Sequence, residues 1–278
     1  MTVMIIRASV VALFATVAFV PARAQDSTTT DSAKVRSNEP LVTRRDAIMF
    51  AAATISTAAV APFDRHVERT AHRADLRHRG LNQAADVLGF TGGPGPFIAG
   101  GALYITGMSA ESPNVARLGV TLTEGVVLAA TLNGVVKGFA GRALPSAAPS
   151  EPGDFSFGRG FHDGNGPFVS FPSGHTAASF AMAAVLSDAS RSWGPTASRY
   201  VGPAAYTTAT LVAVSRLYEN VHWASDLPLG AAIGIWSGKT MAHWQRRHPD
   251  NWITRRLLGV GIVPQKHGFT VSASTPFE

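Results

Sequence analysis

Three residues able to act on a phosphate ester stand close together in the stretch Ser215 to Asp226. Arg216 carries a permanently charged, planar guanidinium group, which pairs well with phosphate oxygens. His222 has a ring nitrogen that is neutral near pH 7 and can act as a nucleophile or as a base. Asp226, four residues further on, can hold that ring in one tautomer. The same spacing also fits an ordinary pair on a helix surface, so the interpretation needs further residues elsewhere.

A second candidate stretch occupies residues 172–176, immediately before an alanine-rich segment that is predicted to be helical. Ser173 is a favoured N-cap residue, and the free N–H groups at a helix start, together with the helix dipole, bind phosphate. Gly174 allows a close approach of the backbone. His175 would lie beside the bound oxyanion and could protonate a leaving oxygen. The alternative is a capped helix with a histidine on its surface.

The rest of the chain must supply the elements that hold these two stretches together. Apolar segments separated by Gly/Pro clusters predict an all-α fold, a six-helix antiparallel bundle, with loops at 89–96 and 138–170. Pro203 is expected in the first turn of the fifth helix, where proline is tolerated. The predicted helices are residues 44–61, 97–108, 118–137, 176–186, 200–216 and 226–244.

The order of these helices brings the candidate residues to one end of the bundle. Lys137 ends the third predicted helix and Ser173 begins the fourth, while Arg216 ends the fifth and Asp226 begins the sixth. In an up-and-down bundle those four helix ends lie at the same pole. One phosphate group could therefore contact all of them.

Both stretches resemble known signatures. The run Pro172-Ser173-Gly174-His175, and the run Ser215-Arg216 followed by His222 and Asp226, are similar to the second and third signatures of the type 2 phosphatidic acid phosphatase and vanadium haloperoxidase superfamily. The first signature of that family is a lysine, six residues and then Arg-Pro. Lys137 is followed at this spacing by Leu144-Pro145. The resemblance covers about residues 97–240 and implies a helical phosphatase.

The departure at Leu144 removes a guanidinium group that the family uses to bind phosphate. Lys137 and position 144 lie on nearly the same face of a helix, whereas Arg142 would point about 140° away. If Gly141 ends the helix, however, the chain can turn Arg142 inward as a replacement. We therefore include Arg142 among the expected phosphate-binding residues, with a solvated side chain as the alternative.

The resemblance also implies a mechanism. His222 would attack phosphorus and form a phosphohistidine, Asp226 would orient its ring, and His175 would protonate the leaving alcohol. No metal is implied, because no other cluster of carboxylates or histidines has ligand-like spacing. The groups expected to hold the phosphate oxygens are Lys137, Ser173, Gly174, Arg216 and Arg142.

Two other functions fit the same residues, since one pocket can host several chemistries. The pocket could hold vanadate for the oxidation of halide by peroxide, in which case His222 would ligate vanadium. The loss at Leu144 would also fit a noncatalytic phosphate- or lipid-binding protein. Among substrates, phosphatidate, undecaprenyl pyrophosphate, lipid A phosphate and small phosphomonoesters all remain open.

Composition limits the partners and the chemistry of the site. The 278-residue chain has a formal net charge of +6 and no cysteine, which excludes disulfides and thiolate catalysis. The positive charge suits a phosphorylated lipid or small phosphoester substrate, or an anionic membrane surface, and no signature of nucleic-acid binding accompanies it. Arg65, Arg69, Arg73 and Arg77 recur every fourth residue, which on a helix would make one basic stripe. Such charge runs usually form a solvated face, and docking on an anionic membrane surface is the functional interpretation.

Residues 1–24 have the features of a secretory signal peptide. An apolar run at 8–20 follows Arg7, and Ala22-Arg23-Ala24 offers small residues to a signal peptidase. The run is shorter than the ~20 apolar residues of a membrane span. We expect an exported, periplasmic protein with a flexible lead at 25–43 and one helical domain at 44–247. A tail at 248–278 would form a short hairpin or an extended segment.

The predicted helices are borderline as membrane spans. Residues 118–136 include Glu124 and Asn133, and the helix after His175 has only about ten apolar residues, against the ~20 of a span. If the signal is cleaved and all six helices span, the third would carry the site to the cytoplasmic side, away from exported phosphoesters. We therefore expect a periplasmic domain, soluble or attached to the membrane surface, with an integral membrane bundle as the alternative.

Overall fold

The structure is a computed structural model that describes residues 42–147, 149–162, 164, 166–249, 251–258, 260–265 and 268–273, the last two segments by their backbone alone. The predicted signal peptide at 1–24 lies outside the described residues, as does nearly all of the predicted lead at 25–43.

The described part of the chain contains nine α-helices and one hairpin. β1 (Val260–Gln265) pairs antiparallel with β2 (Gly268–Ala273), and 3-10 turns occupy Ala61–Phe63, Ala74–Leu76, Arg159–Phe161 and Ser190–Trp193. The all-α prediction is confirmed, with the hairpin as a C-terminal addition, but the count of six helices is too low. The helices are α1 (Arg44–Val60), α2 (Asp64–Ala71), α3 (Arg79–Gly92), α4 (Gly95–Ser109), α5 (Pro113–Ala140), α6 (Gly174–Ala189), α7 (Pro195–Tyr218), α8 (Asp226–Arg247) and α9 (Trp252–Leu258).

Helix α6 lies at the centre of the bundle and packs against α5, α7 and α8. Its alanines and Phe180 contribute to both main core clusters, because small side chains on every face let three neighbours approach. One cluster joins α6 to α7 and α8 through Leu217 and Leu227, and the other joins it to α5 through Leu122 and Val126. Around this centre, α4 packs on α5, α1 on α8 and α3 on α7.

Three glycines bring α8 close to α6. Gly230, Gly234 and Gly238 recur every fourth residue, and a Cβ atom at any of them would overlap a backbone carbonyl oxygen of the facing segment, that of Ser173 in the case of Gly230. The N–H group of Ser173 donates to the backbone carbonyl of Asp226 at 3.1 Å. The starts of α6 and α8, which carry two parts of the candidate site, are therefore held side by side.

Two predicted boundaries are wrong. Residues 89–96 do not form a loop, because α3 continues to Gly92 and α4 begins at Gly95, with Pro96 in the first turn where its missing N–H group needs no partner. Pro203 lies inside α7 and not in its first turn, because that helix already begins at Pro195.

The predicted basic stripe is also wrong as a continuous helical face. Helix α2 ends at Ala71, so Arg73 and Arg77 lie beyond it. Arg65 donates to the backbone carbonyl of Ser150 at 2.6 Å, and Arg77 donates to that of Tyr218 at 2.6 Å. These arginines fasten α2 and the following turn to the bundle, so they do not form one surface for docking on a membrane.

Two helical stretches, Arg44–Ala71 and Pro113–Ala140, are long and apolar enough to cross a membrane. Only 11% of the apolar window of the first is buried inside the protein, and Ile48, Ile55 and Phe63 on it are exposed. The second is 44% buried, as expected of a helix that also serves the core. The first stretch is therefore the better candidate span.

Candidate active site

The structure gathers the predicted catalytic residues at one end of the bundle. His175 stands in the first turn of α6, Lys137 in the last turn of α5, and Arg216 in the last turn of α7. His222 lies in the loop that joins α7 to α8. Arg216 and His175 both lie against the end of α3, at Gly89 and Gly93. Lys137 contacts Val169, whose neighbour Ser170 is bonded to Asp226 beside His222, so the four side chains surround one region.

His222 is buried and faces the carboxylate of Asp226, the first residue of α8. Its Nδ1 atom lies 3.4 Å from Oδ2 of Asp226, a distance typical of an ion pair, with poor alignment for a hydrogen bond. Burial lowers the pKa of His222 below its usual value, although the nearby Asp226 carboxylate partly offsets this effect. The ring is therefore neutral at neutral pH, and with Nδ1 directed at Asp226, Nε2 is the nitrogen left for chemistry.

Asp226 is held from several directions. Its Oδ2 atom accepts hydrogen bonds from the hydroxyl of Ser170 at 2.5 Å and from the N–H group of Trp223 at 2.8 Å, while Oδ1 pairs with Arg142 at 2.5 Å. Complete burial would raise the pKa of Asp226, but the contact with the His222 ring and the charge of Arg142 hold it below the usual value. The carboxylate is thus ionised and fixed, as a group that orients a histidine must be.

The first turn of α6 has the geometry of an anion site. Ser173 is the N-cap, and its buried hydroxyl accepts from the N–H group of Thr176 at 3.4 Å and from the Thr176 hydroxyl at 2.9 Å. The N–H group of Ser173 is already bonded to Asp226, so the backbone donors of Gly174 and His175 remain for an anion. Ser173 therefore shapes the helix start, and its hydroxyl hydrogen, which neither of these bonds uses, can still donate to an anion.

His175 is neutral in this structure. Burial, followed by the positive charges of Arg216 and Lys137, lowers the pKa of His175 to about 4, and any proton gained by His222 would act in the same direction. A bound phosphate would supply negative charge beside the ring and raise that pKa again. His175 can therefore gain a proton when an anionic substrate binds.

The two cations of the pocket have partners that a phosphate could replace. Lys137 donates to the backbone carbonyl of Val169. Arg216 is buried and pairs through Nη2 with Oε1 of Glu219 at 2.6 Å. Its guanidinium group lies against Gly89 of α3, where a Cβ atom would overlap it. Arg216 thus occupies a slot that only a glycine leaves open.

Arg142 does not lie where a phosphate-binding residue was expected. Gly141 does end α5, with φ at 54°, and the chain does turn Arg142 inward. The guanidinium group nevertheless contacts protein groups only and is 2% exposed: Asp226, Asp64 at 2.7 Å, the Ser225 hydroxyl at 2.8 Å and the carbonyl of Pro152. The buried carboxylates of Asp64 and Asp226 hold the guanidinium group, and it contacts the Asp226 oxygen that does not face His222. Arg142 therefore does not replace the phosphate ligand lost at Leu144.

Sequence reasoning missed several residues around Asp226. Asp64 is fully buried and accepts from the N–H group of Ser225 at 2.8 Å, yet 161 residues separate the two. Ser170 precedes the recognised stretch by two residues and carries no signal of its own. Glu219 could have been found, because an acidic residue three positions after Arg216 on a helix is a common ion-pair spacing.

Comparison with known proteins identifies relatives of this helical core. Residues 118–250 match the PAP2 superfamily. A lipid A 1-phosphatase of Porphyromonas gingivalis is 41% identical over 92 residues, which are 33% of this chain and 19% of that protein, so the match spans about a fifth of the relative's length.

Two solved structures are similar to the chain. A transmembrane PAP2 type phosphatidylglycerolphosphate phosphatase from Bacillus subtilis superposes with a TM-score of 0.54 at 19% identity, over 74% of this chain and 98% of that one. LpxE of Aquifex aeolicus has a TM-score of 0.47 at 24% identity, over 65% and 95% of the two chains. The first similarity shows a shared fold.

Proposed function

Since the chain belongs to the PAP2 superfamily through its core at residues 118–250, we propose that it is a phosphatase that hydrolyses the phosphate ester of a lipid. One observation carries the proposal: a buried histidine backed by an ionised carboxylate lies at the same end of the bundle as a second histidine and two cations. The vanadium-dependent and noncatalytic alternatives receive no support from the comparisons.

The proposed reaction has two steps. Nε2 of His222 attacks phosphorus, the bond from phosphorus to the leaving oxygen breaks, and His175 gives that oxygen a proton. Asp226 stabilises the positive charge that forms on the phosphorylated ring. Water then attacks the phosphohistidine, His175 takes the proton from the water, and inorganic phosphate leaves. Among the described residues no three His, Asp or Glu side chains form a metal-binding group, and neither step uses a metal.

The proposed phosphate ligands are Lys137, Arg216 and the helix start at Ser173 and Gly174. Arg216 must exchange Glu219 for the substrate, and its guanidinium group then stabilises charge on the phosphoryl oxygens. Leu144 leaves the pocket one guanidinium group short. Phosphate binding should be weaker by about 1.5 to 3 kcal/mol than in a site with that arginine.

The lipid character of the substrate is supported by the match to a lipid A 1-phosphatase and by the poorly covered first helix. Exposed apolar side chains along Arg44–Ala71 suit contact with a bilayer, so we propose an integral membrane protein in place of the expected soluble or surface-attached domain. With a cleaved signal peptide and the two candidate spans Arg44–Ala71 and Pro113–Ala140 crossing the membrane, the end of α5 and the site would return to the periplasmic side, so export is part of the same proposal.

The function can be tested with the detergent-purified protein and a substrate panel. We expect phosphate release from phosphatidate or lipid A, and slower release from p-nitrophenyl phosphate. The His222→Ala variant should lose activity by at least about 10³-fold, because the nucleophile is gone. His248→Ala, at the far end of α8 about 33 Å away along the helix, is the control and should be unchanged. Equal activity in both variants would refute the proposal.

A further inference from the structure

Asp64 is a buried carboxylate that the reaction described above does not use. It is the first residue of α2, is fully buried, and lies outside the segment that matches the PAP2 superfamily. Its Oδ2 atom pairs with Nη2 of Arg142 at 2.7 Å and accepts from the hydroxyl of Ser225 at 2.6 Å, and Oδ1 accepts from the N–H group of Ser225 at 2.8 Å. Both of these partners adjoin Asp226, because Arg142 pairs with its carboxylate and Ser225 precedes it in the chain.

Arg142 connects Asp64 with the catalytic carboxylate. Nη1 of Arg142 pairs with Oδ1 of Asp226 at 2.5 Å, and the other carboxylate oxygen faces His222. Asp64, Arg142 and Asp226 thus form a chain of alternating charge that ends against the neutral ring of His222. Burying such a chain is costly, because desolvation of ion pairs can exceed their mutual attraction. Apolar side chains would stabilise the same position at lower cost, so the charges point to a role in the reaction.

The net charge of Asp64, Arg142 and Asp226 indicates what that role would be. Arg142 alone would cancel the charge of Asp226 and leave no net negative charge behind His222. Asp64 adds a second negative charge, so the three groups together carry a formal charge of −1. A net negative charge stabilises the positive ring that forms when His222 is phosphorylated.

We propose that Asp64 is a positioning residue for phosphate hydrolysis, which through Arg142 and Ser225 fixes the Asp226 carboxylate and keeps a net negative charge behind His222. This inference rests on the proposed function, because it assigns a role in that reaction. Asp64 itself touches neither substrate nor reacting atoms. Helix α2 would thereby belong to the active site and would not serve only to connect a membrane span to the bundle.

Other charged groups also act on His222 and must be considered in any test by pH. Lys137 of α5 and His175 of α6 disfavour a positive ring, whereas Asp226 favours it. Asp64 and Glu68 of α2 border the same narrow crevice as His222. Glu68 lies 3.8 Å from His72 on its own helix and makes no contact with Arg142. Asp64 is therefore the one of these two whose charge reaches Asp226 through Arg142.

The test is the pH dependence of kcat/KM in the detergent-solubilised full chain. His222 must be neutral to attack, so the acid limb of the profile reports its ionisation. The variant Asp64→Asn removes one negative charge, and we expect the acid limb to move to lower pH by roughly 0.5 to 1 unit and kcat to fall by about tenfold, with KM little changed. All variants are assayed with one substrate, so its own ionisation is the same in each assay. A difference in the acid limb between variants must therefore come from a group of the enzyme.

The matched control is Glu124→Gln, a change of a partly buried carboxylate, roughly 20 Å along α5 from Lys137. It should alter thermal stability alone and leave the pH profile in place. If Asp64→Asn behaves like this control, Asp64 has a structural role only and the inference is overturned.

A second variant keeps the test decisive if Asp64→Asn does not fold. In Asp64→Asn/Arg142→Met the charge behind His222 is again −1, so the acid limb should return to the wild-type position while kcat stays reduced by about tenfold. A limb shifted to low pH in this double variant would overturn the inference. Failure of the proposed function would look different: the wild type itself would release no phosphate.

Discussion

The two sides of His222 differ in how firmly their charged groups are held. Toward the start of α6, Lys137 and Arg216 are bound to a backbone carbonyl and to Glu219, partners that an incoming phosphate can replace. On the opposite side, Asp226, Arg142 and Asp64 are buried and bonded to one another, and Ser170, Trp223 and Ser225 complete their hydrogen bonds.

This difference separates binding from orientation. Under the proposed mechanism, the groups that would receive the phosphate are held by exchangeable contacts, whereas the groups that would orient the nucleophile are preorganised before the substrate arrives. Changes on the orienting side should therefore affect stability and kcat, and changes on the phosphate side should affect mainly KM.

The largest expected effect is on the orienting side. Arg142→Met leaves two buried carboxylates, Asp64 and Asp226, without their cation, and should lower the free energy of unfolding by about 3 to 5 kcal/mol. The control is Arg65→Met, whose partner Glu151 is exposed, with an expected loss of no more than about 1 kcal/mol. Thermal or denaturant unfolding in detergent measures both. Equal losses would show that the orienting side is no more firmly built than a surface ion pair.

A smaller effect is expected from Gly89→Ala on the phosphate side. The added Cβ atom would overlap the guanidinium group of Arg216 and displace it, so KM and the inhibition constant of inorganic phosphate should rise by about tenfold with a lesser change in kcat. Gly101→Ala in α4 is the matched control, because nothing lies within 4 Å of a Cβ atom there. A fall in kcat at constant KM would mean that Arg216 does not bind the substrate.

The smallest effect is expected from Glu219→Gln, which removes the carboxylate that competes with phosphate for Arg216. KM should fall by about threefold at neutral pH. Burial, only partly offset by Arg216, raises the pKa of Glu219, so the wild-type carboxylate becomes protonated at a higher pH than usual. The ratio of the two KM values should therefore approach one as the pH is lowered through that raised pKa. A ratio independent of pH would exclude competition by Glu219, and Glu151→Gln serves as the control.

The phosphate side could be predicted from the sequence far better than the orienting side. The phosphate-side residues, Ser173 to His175 and Arg216, lie in short stretches at helix ends, where local residue preferences fix the geometry. The contact of Asp64 with Arg142 joins residues 78 positions apart in the chain, and no local pattern encodes it. For Arg142 the local reasoning was right about the turn at Gly141, but the direction of the side chain was decided by buried carboxylates from two distant helices.

The prediction of the helices was likewise limited to what local composition shows. The six apolar segments correspond to α1, α4, α5, α6, α7 and α8, because composition and Gly/Pro clusters mark them. Helix α2 was missed because half of its residues are charged, and only Asp64 among them is buried. Helices α3 and α4 come within two residues of each other because the intervening glycines end one helix and begin the next, a distinction that composition alone does not make.

The central claim is that His222 is the nucleophile, and the most direct test is to find the phosphoryl group. After rapid quenching during turnover under conditions that preserve phosphohistidine, trypsin should release the peptide from Leu217 to Lys239, which contains His222 as its one histidine. We predict that mass spectrometry finds one phosphoryl group on this peptide in the wild type and none in His222→Ala. Steady turnover with an unmodified peptide, or with the phosphoryl group on the peptide that carries His175, would contradict the account.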